Sequence, residues 1–195
     1  MAFDVVEISS LLGLFALLLL TFNFLLGILL STGYKRWPLW KKMPPFIRNL
    51  RLQFIHNWTA YAAFFLLLAH PLLLLLDAST KFQPADIFIP FHSGFDPLWV
   101  GMGSISLYLI VLVILTTQKA LKKRLGFRLW KNIHLISYVT ALLICLHGIV
   151  LNPHLKHKPV DYLDGEKLVC EACLLILLLA GLWRLRYHRA SVPSR

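Results

Sequence analysis

The sequence predicts an all-α integral membrane protein, a helical bundle with about five transmembrane helices. Three observations lead there. Of 195 residues, 58% are hydrophobic, and the mean hydropathy is +0.69. The apolar residues gather into five runs of roughly the 20 residues that a helix needs to cross a bilayer. The cationic residues fall almost entirely on one side of those runs.

The runs are 8–30, 54–76, 98–117, 133–151 and 168–183. With their short loops they take up the whole of 1–195. A single transmembrane domain is therefore expected, with no flavin or nicotinamide site in this chain. A cleavable leader has a basic start and a short apolar stretch. Here MAFDVVEISS is acidic and a long run follows, so the first span is expected to be a retained helix.

The formal net charge of +11 invites a nucleic-acid partner, but its distribution argues against one. Lys35, Arg36, Lys41, Lys42, Arg48 and Arg51 lie between spans 1 and 2. Lys119, Lys122, Lys123, Arg124, Arg128 and Lys131 lie between spans 3 and 4. Arg184, Arg186, Arg189 and Arg195 follow span 5. These six, six and four make 16 of the 20 Lys and Arg, all on one side. The positive-inside bias puts that side in the cytoplasm, the N-terminus outside and the C-terminus inside.

In span 1, Thr21 and Asn23 are the polar interior positions, and Asn23 suits an interhelical hydrogen bond. The loop 31–53 is basic and rich in Trp and Pro, which fits rings at headgroup level; a docking surface for an acidic partner is the sharper alternative. Span 2 carries His56 and His70. Fourteen residues turn an ideal helix four times less about 40°, so both lie near one stripe, about 21 Å apart along the axis. Thr59, Ala60, Ala63 and Leu67 follow that stripe; residues so small admit a flat macrocycle or simply close helix packing. Pro71 removes a hydrogen bond and favours a bend.

The loop 77–97, with Phe82, Phe88, Phe91 and Phe95, is too apolar for a free linker and is expected to fold over the helix ends. His92 reads as a surface residue. Gly101 and Gly103 in span 3 follow no strand, so they mark close packing, not a nucleotide fingerprint. Span 4 carries His134 and His147. Thirteen residues rotate the second by about 140° from the first on a straight helix. The helix must therefore tilt, unwind locally, or present its histidines to differently oriented partners. His154 and His157 have a metal-ligand spacing but no third ligand, and an exposed loop is expected. Cys170 and Cys173 form a CxxC without a βαβ setting; a disulfide or two inert thiols is expected over a redox pair. Cys145 is expected to pack as a small apolar residue.

Ionisable residues within membrane spans are costly and point to function. Spans 2 and 4 run in the same direction, which matches His56 with His134 and His70 with His147 in depth. Opposed neutral imidazoles suit six-coordinate haem iron. Two haems would form an electron path across the bilayer with irons about 20 Å apart. A proton relay usually adds Asp or Glu, and transporters tend to show broken helices or repeats. A non-enzymatic metal or proton transporter remains the alternative reading, and a respiratory type of cytochrome b bundle fits the spacing too.

The segments HNWTAYAAFFLLLAH and LGFRLWKNIHLISYVTALLICLH resemble the two histidine helices of the ferric reductase-like transmembrane domain. That domain is the haem-binding core of NADPH oxidases and ferric-chelate reductases. TTQKALKKRLGFRLWKNIH is also similar to the haem-binding membrane subunit of the bacterial periplasmic methionine sulfoxide reductase system, which departs from the four-histidine pattern in its first helix. The resemblance spans roughly 48–148. It implies a b-type cytochrome with His56 and His134 on an inner haem and His70 and His147 on an outer one, and it eases the 13-residue step. Arg51, Arg128 and Lys131 are candidates for the haem propionates. The family core usually has six spans, one more than here, and the oxidases carry flavin and NAD(P)H domains. The expected protein is therefore an oxidoreductase subunit in a bacterial inner (plasma) membrane. Its donor would be a separate cytoplasmic flavoprotein or quinol, and its acceptor ferric iron, oxygen or a periplasmic reductase.

Overall fold

The computed structural model describes residues 4–155 and 164–191, with side chains described in those stretches except at 152–155 and 190–191. Helix α1 (Val5–Ser31) is capped by Asp4, whose carboxylate accepts the Val6 N–H at 3.0 Å, an anion at the positive end of the helix. The chain leaves α1 through Gly33, held at φ +66°, a conformation that glycine adopts without steric cost. A 3-10 turn (Tyr34–Arg36) and two one-turn helices follow, α2 (Pro38–Lys41) and α3 (Pro45–Arg48). Each of those two helices starts on a proline, whose missing N–H is an orphan at that position anyway. Then come α4 (Leu52–Leu74), α5 (Pro84–Phe88), α6 (Pro97–Thr117), α7 (Lys119–Leu135), α8 (Ser137–Leu155) and α9 (Gly165–Ser191).

Five stretches are long and apolar enough to cross a membrane: Val5–Ser31, Leu52–Leu74, Pro97–Thr117, Lys119–Leu151 and Gly165–Arg189. They correspond to the five expected runs, and no strand occurs among the described residues. Helix α1 lies along α4 and also touches α8 and α9, while α6 packs on α7 and α8. Lipid is as apolar as leucine, so close van der Waals contact holds such a bundle rather than exclusion from water. Small residues sit where that contact is closest: Ala16 and Ala63 are fully buried. Leu17, Ile110, Ile144, Cys145, Cys170, Cys173 and Leu177 form the central cluster, drawn from α1, α6, α8 and α9. Large side chains such as Phe15, Trp58 and Phe65 are exposed, as a lipid-facing surface requires.

Two features of the fourth span differ from a single straight helix. The basic segment before it is itself helical, with a sharp turn at Gly126 (φ 72°, ψ 164°). Helix α7 then ends at Leu135 and α8 restarts at Ser137. That interruption lies between His134 and His147. Ile136 keeps right-handed helical angles (φ −58°, ψ −24°) and its carbonyl accepts the Thr140 N–H at 3.0 Å, so the interruption is slight, and the two histidines face different partners, His56 and His70.

The loops are more packed than their polarity suggests. Tyr34 is buried with Leu26 and Leu52, and Trp37 and Trp40 pack against this small second core. Trp37 also meets Trp183 edge-on at 5.3 Å. These rings join the ends of α1, α4 and α9. At the other end, the segment 77–97 folds onto α6, as expected. Ile87 is buried, Ser104 donates to the Asp86 carbonyl at 3.1 Å, and Tyr108 donates to the Phe88 carbonyl. Gly101 makes room for the Phe91 ring of this segment rather than for another helix.

Candidate functional site

The site grows from α4, which carries His56 and His70 on the face toward α1. The His70 Nδ1 lies 2.7 Å from the Ser9 carbonyl, and the His56 Nδ1 lies 3.1 Å from the Asn23 carbonyl. From α8, the His147 Nδ1 lies 2.7 Å from the Trp99 carbonyl of α6. A carbonyl can only accept, so in all three rings Nδ1 carries the proton and Nε2 keeps a bare lone pair. Such a partner fixes the tautomer and orientation of a metal-binding imidazole and raises its basicity.

A glycine stands four residues beyond each of these carbonyls. A Cβ on Gly13 would meet the His70 Nδ1 at 3.2 Å, and one on Gly27 would meet the His56 Cε1 at 3.3 Å. One on Gly103 would lie only 2.8 Å from the His147 Cε1. The spacing has a geometric cause. A helical carbonyl points at the N–H four residues on. A ring that shares that carbonyl must therefore lie over that next turn, and glycine leaves it space. Ser9 and Asn23 add side-chain bonds. The Ser9 hydroxyl donates to the His70 carbonyl at 2.8 Å. Asn23 donates to the His56 carbonyl and, at 2.8 Å, to Thr59. The interhelical bond expected of Asn23 is present. Thr59 belongs to the contact with α1, so that part of the small-residue stripe serves helix packing.

The histidines meet two by two. The ring centres of His56 and His134 are 6.2 Å apart, and those of His70 and His147 are 6.3 Å apart. His134 is the exception in its surroundings: its Nδ1 is buried with no hydrogen-bond partner among the described residues. The His70 and His147 pair borders a cavity of about 140 Å³, which Gly13, Gly103, Asp86 and Glu166 also line. Asp86 is buried and bonded to His92 at 2.8 Å. His92 is thus a partly exposed partner of a buried carboxylate, beyond the plain surface residue expected.

Arg51, Arg128 and Lys131 are exposed, on or beside the helices that carry His56 and His134. Two further cations stand nearby, which the sequence showed only as part of the charge bias. Arg184 of α9 donates to the Tyr138 hydroxyl, and the Lys122 ammonium lies 3.6 Å over the Trp130 ring. Cys145, Cys170 and Cys173 are all buried free thiols. Of the two outcomes expected for the CxxC pair, the structure has the thiols. The His154 and His157 spacing lies outside the described side chains.

The sequence model of the family described as "Ferric reductase like transmembrane component" matches residues 12–145. The chain belongs to this ferric reductase-like family. No curated protein and no solved structure matches it. The matched stretch includes His56, His70 and His134 and stops two residues short of His147. Membership makes this ferric reductase-like protein an integral membrane component of the electron-transfer, oxidoreductase kind, in a family that is generally haem-binding.

Whether the residues suit a haem is a question of distance. A metal–imidazole bond is about 2 Å, and the bonded nitrogen lies about 1.1 Å from the ring centre. Two imidazoles opposed across one six-coordinate iron then have centres about 6.3 Å apart. Both pairs of this ferric reductase-like protein have that separation. A bare metal ion would draw three or four side chains together; among the described residues no such group of three occurs. A pair suits a ring that brings four donors of its own.

Proposed function

We propose that this protein is a di-haem b-type cytochrome that carries electrons across the membrane, with His56 and His134 holding one haem and His70 and His147 the other. The observation that carries the reading is the matched spacing of the two imidazole pairs, 6.2 and 6.3 Å between ring centres. When bound, each haem supplies a one-electron redox centre. The chain's part is to hold neutral imidazoles with Nε2 free, to keep the two levels about 21 Å apart along α4, and to surround them with apolar side chains. The whole of 1–195 acts as one transmembrane domain.

The basic end faces the cytoplasm, with the N-terminus outside, on the positive-inside bias. Arg51, Arg128 and Lys131 at that end would pair with the propionates of an inner haem. Electrons enter there from a flavoprotein or quinol and leave at the His70 and His147 level, to ferric iron, oxygen or a periplasmic reductase. The membrane of a bacterial cell is the fitting location. An inside-negative potential favours outward movement of an electron by about 2.3 kcal/mol per 100 mV crossed.

The test is a reduced-minus-oxidised absorption spectrum on detergent-purified protein, with haem counted per chain. Two b-type haems are expected. His70→Leu removes the outer one and stops transmembrane reduction of an outside acceptor. Unchanged haem content and transfer in that variant overturns the assignment. A colourless protein from haem-replete cells points instead to metal or proton transport.

A further inference from the structure

Three of the four imidazoles are held by the same device, a main-chain carbonyl with a glycine four residues beyond. His134 lacks it, and its Nδ1 is buried without a hydrogen-bond partner among the described residues. It also stands one residue before the end of α7. No hydrogen bond at Nδ1 fixes the direction in which its Nε2 points.

What lies against it is Trp130. The two rings are stacked at 5.4 Å between centres and 27° between planes. They are four residues apart on α7, the separation at which helical side chains meet. On Trp130 sits the Lys122 ammonium, 3.6 Å from its ring centre, a cation–π contact. The turn at Gly126 allows this contact by folding the first part of α7 back toward the second. Phe127 flanks the same indole at 5.8 Å.

We infer that Trp130, clamped by Lys122, is the positioning residue for His134, and that it takes the place of the carbonyl–glycine device at this one ligand. The inference rests on the haem reading above. It makes the inner site the more easily opened of the two. Stacking fixes the plane of the ring but offers its Nδ1–H no acceptor, whereas the other three rings each have a carbonyl acceptor. Outer-layer partners of this kind change metal-site affinity by about 10- to 100-fold when lost.

Carbon monoxide is a suitable probe, because it binds reduced haem only where an axial position opens. Wild type is expected to hold two haems, six-coordinate, low-spin and inert to carbon monoxide. Trp130→Met removes the ring while keeping an apolar, helix-forming side chain. It is expected to make one of the two haems reactive to carbon monoxide and partly high-spin, whereas Trp130→Phe restores the wild-type spectrum. His147→Leu in the same background identifies the reactive haem as the inner one by removing the other. A Trp130→Met protein that keeps both haems low-spin and inert overturns the inference and leaves the haem reading standing. A wild type without two haems, or a His134→Leu variant with an unchanged spectrum, overturns the reading itself. If Trp130→Met does not accumulate in the membrane, the exposed Lys122→Gln carries the test. It is expected to give a smaller reactive fraction of the same haem, and an inert spectrum there overturns the inference.

Discussion

Replacing Gly103 with alanine tests the carbonyl–glycine device at its tightest point. The new methyl carbon would stand 2.8 Å from the His147 Cε1 and 3.0 Å from its Nδ1. Reaching the 3.4 Å at which ordinary contact begins takes a retreat of about 0.6 Å. The Trp99 carbonyl lies on the same helix α6, so the retreat stretches a bond now 2.7 Å long to about 3.3 Å, the weak edge of the hydrogen-bond range. Overpacking costs about 1–3 kcal/mol, and a lost hydrogen bond adds about 1 kcal/mol. A penalty of roughly 2–4 kcal/mol at one ligand corresponds to about 30- to 1,000-fold in site affinity. The outer haem should therefore be largely lost from purified Gly103→Ala, as read from haem per chain and the low-spin signal. Gly13→Ala and Gly27→Ala meet their rings at 3.2 and 3.3 Å and should retain most of their haem. A Gly103→Ala protein with full haem content, or one less affected than Gly27→Ala, refutes the reasoning.

Two more outcomes follow from groups away from the ligands. His92→Ala leaves the buried Asp86 carboxylate with the Gln83 N–H at 2.8 Å but without its exposed partner. A cost of about 1–3 kcal/mol should loosen segment 77–97, and limited proteolysis from the outside should cut there faster than in wild type while both haems remain. Cys145, Cys170 and Cys173 are at most 5% exposed. A maleimide should leave all three unmodified in the folded, detergent-purified protein and label them after denaturation; rapid labelling of the native protein would contradict the central cluster.

Hydropathy made the five spans legible because length and apolarity are what a bilayer demands of a helix. The pairing of His56 with His134 and of His70 with His147 followed from depth alone. The resolution of the 13-residue step did not. The slight interruption at Ile136 has no glycine or proline to mark it. The helical start of the fourth span was hidden by its charges, although Gly126 stood inside it as a turn signal. The partners of the histidines did leave a trace. Ser9 and Asn23 are 14 residues apart, as are Gly13 and Gly27, and as are His56 and His70. Two antiparallel helices with the same 14-residue period bring each polar-xxx-Gly unit to one imidazole. The period is visible only when α1 is read against α4, and a search for metal ligands passes over serine, asparagine and glycine.

Why carbonyls hold these rings, rather than the carboxylates common around metal-bound histidines, follows from the setting. Inside a bilayer an imidazole N–H without an acceptor costs several kcal/mol, and a carboxylate introduced to accept it would itself be a charge in hydrocarbon. A helical carbonyl already bonded to the N–H one turn on keeps a second lone pair. It can take an imidazole N–H without adding any polar residue to the span. What the sequence must supply is space, and glycine supplies it at positions 13, 27 and 103. This also explains why α1 and α6 read as bland hydrophobic segments although they orient three of the four candidate ligands. Only the fourth, near the basic end, stands within reach of a lysine and an indole. There no acceptor takes the Nδ1–H among the described residues; side chains hold the ring by stacking instead, and the sequence is correspondingly richer in charge.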